Sequence, residues 1–196
     1  MKKFQIFGSV QKYCFILIAI LILGAISSSN FASEQTDWTG NINVFLGTKF
    51  VEDFWIPVDE QAEVGFEFDI RKQSWPVNLA VDYMHAEDDY SLVFFGIESE
   101  SSELNIGVRK IWDPFLHVRP FIGGGVSLIN AEYRTFFVSD SDSNAGIWIG
   151  GGVYWTLGKH FNIGLEMKLS TADVDIFISD VDGGGTHFGA LVGYHW

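Results

Sequence analysis

Between Ala62 and Arg71 apolar and acidic side chains alternate. Val64, Phe66, Phe68 and Ile70 fall on one face of an extended chain, and Glu63, Gly65, Glu67 and Asp69 on the other. A period of two residues does not suit a helix; it describes a strand lying between two different surroundings. The same period returns along most of the chain. About Trp38–Lys49 it sets Ile42, Val44 and Leu46 against Asn41, Asn43 and Phe45. Further strands are expected at Val77–His85, Glu103–Trp112, Val118–Arg134, Ala145–Thr156 and Phe161–Ala172. The eighth, Gly184–Trp196, sets Phe188, Ala190, Val192, Tyr194 and Trp196 against His187, Gly189, Leu191, Gly193 and His195. Pairing this strand with the first would close the sheet and leave no edge.

The connections sort by length and by charge. Those near Lys72–Pro76, Asp113–His117 and Leu157–His160 are short. Those near Phe50–Gln61, Ala86–Ser102, Thr135–Asn144 and Asp173–Gly183 are long, and they hold 15 acidic residues and no Lys or Arg. Arg71, Lys72, Lys110, Arg119 and Lys159 gather at the short turns. Short turns at one end and long loops at the other are the layout of an up-and-down membrane barrel. Aromatic residues crowd toward the strand ends, at Trp38, Phe50, Trp75, Tyr83, Trp112, Phe115, Trp155, Phe161 and Trp196, as interfacial girdles require. The expected fold is therefore all-β: an eight-stranded antiparallel up-and-down transmembrane β-barrel. A soluble lipocalin-like barrel shares the periodicity but would turn the apolar rows inward.

Residues 1–32 have the build of a cleaved signal peptide. Lys2, Lys3 and Lys12 precede an apolar run from Phe15 to Ile26, and small residues follow up to Ala32. The run is shorter than the ~20 residues a spanning helix needs. The barrel domain is then 33–196. Cys14, the single cysteine, lies before the apolar run, which argues against lipidation and leaves the exported chain without a thiolate metal site. Losing the three leader lysines leaves 9 basic against 25 acidic residues, a formal charge of −16. Nucleic acid is thereby excluded as a partner, because phosphate binding needs clustered Lys and Arg.

With the apolar rows facing lipid, the opposite face must hold Lys49, Glu63, Glu67, Asp69, Arg71, Asp82, Arg109, Arg119, Glu166, Lys168 and His187 inside a narrow lumen. Charges there must be paired. The expected result is a plug of ion pairs between acids of the second, third and seventh strands and bases of the fourth and fifth. The glycine triplets at 123–125 and 150–152 lie inside strands and lack the Lys-Ser/Thr of a phosphate loop. They leave room for Phe121, Trp148 and Tyr154. Ser139–Ser143 and the Asp180, Asp182, Gly183 group only loosely follow calcium-loop spacing, so no metal or cofactor site is expected.

The segments Arg119–Val126 (RPFIGGGV), Trp148–Val153 (WIGGGV) and Leu191–Trp196 (LVGYHW) resemble the eight-stranded outer-membrane barrel family, the superfamily of OmpX and the OmpA membrane domain. The resemblance covers essentially all of the chain after the leader. It implies residence in a Gram-negative outer membrane, contact with lipid and lipopolysaccharide, and recognition of the final strand by the barrel assembly machinery. Family members usually end in Phe, where this sequence has Trp196 with Tyr194 before it. Strands five to seven also resemble the lipid A 3-O-deacylase, whose His-x-Ser pair would fall on Leu169-Ser170-Thr171. No histidine stands there; His187 lies on the next strand. The expectation is a monomeric, non-enzymatic surface protein. Apolar loop residues Phe54, Trp55, Ile56, Leu92, Val93, Phe94, Phe95, Phe177 and Ile178 are candidates for a surface ligand. A minor solute or ion channel is the second class.

Overall fold

The computed structural model describes residues 37–51, 59–92, 95–113, 117–135, 139–176 and 179–196. The leader expected at 1–32 and the first residues of the expected domain lie outside them. Among the described residues ten strands form: β1 (Trp38–Phe50), β2 (Glu60–Lys72), β3 (Asn78–Leu92), β4 (Phe95–Ile111), β5 (Val118–Thr135), β6 (Ser139–Leu157), β7 (Phe161–Thr171), β8 (Asp173–Ile176), β9 (Ser179–Asp182) and β10 (Gly185–His195). Eight of them close into a barrel in the order β1-β10-β7-β6-β5-β4-β3-β2, and β8–β9 is a separate two-stranded sheet. All barrel neighbours are antiparallel. Closure runs from Asn41↔His195 to Phe50↔Thr186. Beyond that ladder, Gly40 and Trp196 exchange two backbone hydrogen bonds of 3.2 Å. The Trp196 ring lies beside Phe68 at 6.0 Å, in space that a side chain at Gly40 would fill.

The two faces of the wall settle which way the apolar rows point. Val126, Ile147, Met167 and Phe188 are more than half exposed, whereas Glu67, Asp82, Arg109 and Lys168 are exposed by 1% or less. A barrel in water would have the reverse arrangement. A closed sheet with a continuous apolar exterior satisfies its backbone internally and suits hydrocarbon, so this is a membrane-spanning barrel. Trp38, Phe50, Trp75, Tyr83, Trp112, Trp155 and Phe161 are exposed on the exterior or at the rims, as girdle residues should be, and Phe115 lies outside the described residues. At the short-turn end Gly158 adopts φ 66° between β6 and β7, a left-handed conformation that glycine takes without a steric penalty.

At the other end the structure departs from the sequence reading. Ala86–Ser102 is mostly ladder, continuous from Asn78↔Arg109 to Leu92↔Phe95. The Thr135–Asn144 connection is shorter than expected, because β6 begins at Ser139, opposite Arg134. The reason lies in the side chains. Glu98, Glu100 and Ser102 alternate with Ser99, Ser101 and Glu103, so both faces are polar and no apolar period marks the strand. Backbone pairing continues regardless. β3–β6 thus stand above the apolar belt as a four-stranded wall. The Asp173–Gly183 connection is also structured, as the β8–β9 hairpin.

Val174 and Val181 of that hairpin are buried against Ala131, with Val51 and Tyr133 packed alongside. Asn144 Nδ2 donates to the carbonyl of Asp173 at 2.6 Å. Asp182 Oδ1 accepts from the amides of Ala172 (2.9 Å) and Gly184 (2.8 Å), fixing the base of the hairpin at the mouth of the barrel.

Candidate functional site

The lumen is where the chain concentrates its chemistry, and it is filled from end to end. Near the short turns Asn41 is a hub. Its Nδ2 donates to Asp69 Oδ1 at 2.8 Å, and its Oδ1 accepts from Asn162 Nδ2 at 2.9 Å and Arg119 Nη1 at 3.3 Å. Asn78 also donates to Asp69, and Thr156 Oγ1 donates to Asn162 Oδ1 at 2.8 Å. Phe45, Met84, Ile111, Phe121, Tyr154 and Leu191 form an apolar cluster inside the barrel, with Phe121 stacked on Tyr154 at 4.4 Å. The glycines leave room for these rings and for Trp148: a Cβ on Gly152 would come within 2.8 Å of Phe121 Cζ, and one on Gly123 within 3.0 Å of the Trp148 ring.

Arg109 organises the middle of the lumen. Its Nη1 donates to Glu67 Oε2 (3.1 Å) and the Tyr154 hydroxyl (3.2 Å), and its Nη2 to Asp82 Oδ2 (3.0 Å). Asp69 lies 3.5 Å from Nη1 and Glu166 3.7 Å from Nη2. Lys168 Nζ donates to Asp82 Oδ2 (2.9 Å) and Glu67 Oε1 (3.3 Å), and it sits 5.3 Å from the Trp148 ring centroid. The plug of ion pairs expected from the sequence is therefore present, but its basic members differ. Arg119 of β5 lies at the rim, where its Nε donates to Asp113 at 2.7 Å. Arg71 leaves the lumen and donates to the carbonyl of Trp75 at 3.4 Å. The second base is Lys168, on the same strand as Glu166. Barrel stagger decides this, and the sequence does not display stagger.

A second cluster lies near the long-connection end. Lys49 Nζ donates to Glu103 Oε1 (2.7 Å), Ser101 Oγ (3.0 Å) and the carbonyl of Gly183 (2.9 Å). His187 Nδ1 meets Glu63 Oε1 at 2.8 Å, and its Nε2 meets Ser170 Oγ at 3.0 Å. Ser170 Oγ also lies 3.2 Å from Glu103 Oε1. Gln61 Nε2 donates to Ser99 Oγ at 2.8 Å. Glu63 is on β2 and His187 on β10, with β1 between them. The inward residue of β1 opposite Glu63 is Gly47, which places no side chain between the two. Glu103 is absent from the set of lumen charges expected from the sequence, because it opens a strand whose upper half has no apolar period. Ser170 and His187 meet although no histidine stands in the His-x-Ser position. They sit on neighbouring strands two rungs apart, since Ser170 pairs with Gly185 and Lys168 with His187.

Among the described residues no group of three or more His, Cys, Asp or Glu is placed to hold a metal ion. The Ser139–Ser143 run is part of β6, and Asp182 serves as a hairpin anchor. The apolar loop candidates Phe54, Trp55, Ile56, Leu92, Val93, Phe94, Phe95, Phe177 and Ile178 lie outside the described residues or side chains.

A closed eight-stranded wall, an apolar exterior and a lumen filled with ion pairs together decide the architecture. The fold is that of the eight-stranded outer-membrane β-barrels. Solved structures agree. The barrel is similar to Ail, the attachment invasion locus protein of Yersinia pestis, solved in complex with the heparin analogue sucrose octasulfate, at TM-score 0.57 and 14% identity over 82% of this chain and 100% of that one. It is also similar to the N-terminal β-barrel domain of Pseudomonas aeruginosa OprF (0.54, 15%, 82% and 98%) and to the outer membrane protein OprG from the same organism (0.54, 14%, 82% and 97%). Neither a family model nor a curated protein matches the sequence. The apolar belt of this barrel suits contact with lipid on its outer face, and the polar wall of β3–β6 extends beyond the belt at one end.

Proposed function

We propose that this outer-membrane barrel is a non-conducting surface protein, acting through its outer wall in envelope integrity, adhesion or lipopolysaccharide contact. One observation carries the reading. The lumen is blocked by the Arg109 and Lys168 ion pairs and by the Phe121–Tyr154 stack, leaving the exterior as the surface open to partners. On that exterior Glu87 and Glu100 face each other across β3–β4, and Glu100 faces Glu132 across β4–β5. Like charges opposed on a sheet are unfavourable by themselves. His85 lies 3.9 Å from both Glu87 and Glu100, and Arg134 pairs with Glu132. With acids in excess on this wall, the row suits a further basic partner, or divalent cations shared with anionic lipid headgroups. Ail is named for attachment and was solved with a heparin analogue; the acidic wall here argues against an anionic polymer as the ligand of this chain. The proposal assigns no catalysis on membrane lipid: Ser170 is buried on the lumen side, where its hydroxyl meets His187 and Glu103. Planar-bilayer recording tests the sealed lumen: the purified barrel should give no steady current, and a stable unitary conductance would refute the reading. Cells displaying the barrel should adhere to polylysine more than to heparin, and Glu87→Gln with Glu100→Gln should weaken that preference.

A further inference from the structure

We infer that the turn between β2 and β3 carries a binding site for the headgroup of an anionic phospholipid, formed by Arg71, Lys72 and Lys110 among three tryptophans. This goes beyond the surface role, which rests on the opposite end of the barrel. Lys72 and Lys110 stand on the outer face of the wall. Lys72 continues the row of Phe66, Phe68 and Ile70 on β2. Lys110 falls between Val108 and Trp112, which are both exposed on the outer face. Trp38 is the residue of β1 opposite Lys72. An ammonium at the end of such a row sits where the apolar belt stops, so its charge is met at headgroup depth.

The turn gathers the three bases. The Trp75 amide donates to the Lys72 carbonyl at 2.8 Å and closes it. Arg71 Nη1 donates to the carbonyl of Trp75 at 3.4 Å, and Lys110 Nζ to that of Pro76 at 2.7 Å. Two consecutive carbonyls thus draw a guanidinium from β2 and an ammonium from β4 to one place. The Trp75 ring meets that of Trp38 edge-on at 5.5 Å. Among the described residues no ion pair joins Arg71, Lys72 or Lys110 to a carboxylate; Asp113, at the same end, accepts from Arg119 Nε at 2.7 Å. Asp37 meets the turn through its backbone carbonyl, which accepts from the Gln73 amide at 2.8 Å.

Charge and depth define the ligand. Three cations around one turn leave a positive charge that backbone carbonyls solvate without neutralising. A phosphodiester fits it, because its oxygens can accept from the Arg71 fork and from both ammonium groups. Trp38, Trp75 and Trp112 then lie against the glycerol and the upper acyl chain, the depth at which indole rings settle. A zwitterionic headgroup brings an ammonium of its own into the cluster, and an anionic one does not, so the site favours the anionic lipid. The outer rows of β3, β4 and β5 carry Glu87, Glu100 and Glu132 at their other end, so the selectivity is local to the short-turn end.

The test uses the folded barrel in nonionic micelles that hold equal amounts of phosphatidylglycerol and phosphatidylethanolamine with the same acyl chains. Native mass spectrometry reads the bound lipid. Phosphatidylglycerol should be bound in preference. Lys72→Gln and Lys110→Gln should each weaken its binding by about fivefold, the scale for one Lys or Arg beside an anionic headgroup. Arg71→Gln with Lys72→Gln and Lys110→Gln should erase the preference. Lys159→Gln, in the turn between β6 and β7, should leave it unchanged. Glycerol phosphate in large excess should not displace the lipid, since the free anion lacks the chain that lies against the tryptophans. Mobility of unboiled samples checks that each variant folds, and the two single lysine variants decide if the triple one does not. Equal binding of the two lipids overturns the inference. So does a preference that survives the triple substitution or the two single ones, one that falls as far in Lys159→Gln, or displacement by glycerol phosphate. None of these results bears on the conductance and adhesion outcomes, which test the surface role separately.

Discussion

Replacing Arg109 by Met should cost the barrel about 3–5 kcal/mol, the range for removing one partner from a buried ion pair. Arg109 is fully buried and donates to Glu67, Asp82 and Tyr154 within 3.2 Å, with Asp69 and Glu166 also in ionic contact. In Arg109→Met, Glu67, Asp82 and Glu166 are left with Lys168 as their cation, and Asp69 with the Asn41 and Asn78 amides. Methionine keeps the apolar stem, while the guanidinium, whose Cζ stands 5.0 Å from the Phe121 ring centroid, is lost with its hydrogen bonds, so the loss reports the cationic group more than packing. About 4 kcal/mol is about a thousandfold in the folding equilibrium. Urea titration of the barrel in lipid vesicles, read by the mobility of unboiled samples, should show it as a lower midpoint at unchanged slope. The control removes the stranded anions as well. Arg109→Met with Glu67→Gln and Asp82→Asn should recover part of the loss, because deleting a buried ionic group whole is far less costly than halving it. A loss below about 1 kcal/mol, or a triple variant no more stable than the single one, would refute the claim that these pairs hold the lumen together.

Two further variants probe other parts of the interior. Gly152→Val forces a side chain against Phe121 and the wall of β7, and should destabilise by about 1–3 kcal/mol in the same titration. Lys49→Met removes the donor that links Glu103, Ser101 and the Gly183 carbonyl, so it should lower stability and also loosen the β8–β9 base. Proteinase K should then cut within 173–182 faster than in the unsubstituted barrel, and equal cleavage rates would show that Lys49 does not secure the hairpin.

Much of this architecture is legible in the sequence because period-2 alternation is imposed directly by the two surroundings of the wall. Val64 to Ile70 and Phe161 to Leu169 can be assigned to lipid, and Glu67, Asp69, Glu166 and Lys168 to the lumen, from alternation alone. Strand length is hidden where the surroundings stop differing. Above Glu103 the wall meets water outside and polar groups inside, so Ser99 and Glu100 give no contrast and the β3–β4 ladder reads as a loop. Partner identity is hidden for another reason. Which base meets Asp82 depends on how far neighbouring strands are staggered around the closed wall, and that stagger brings in Lys168 while leaving Arg119 with Asp113. The Ser170–His187–Glu63 series falls in the same class. It needs β7 and β10 offset by two rungs and an empty position at Gly47, neither of which a single strand reveals.

Site-directed spin labelling at Leu165, in a chain whose Cys14 is replaced by Ala, bears most directly on the orientation of the wall. In lipid vesicles the folded barrel should give a label readily relaxed by oxygen and shielded from a water-soluble nickel chelate, as a site among acyl chains must be. A label relaxed by the nickel chelate, or immobilised and reached by neither reagent, would mean that the apolar rows face water or protein, and the membrane-barrel account would be wrong.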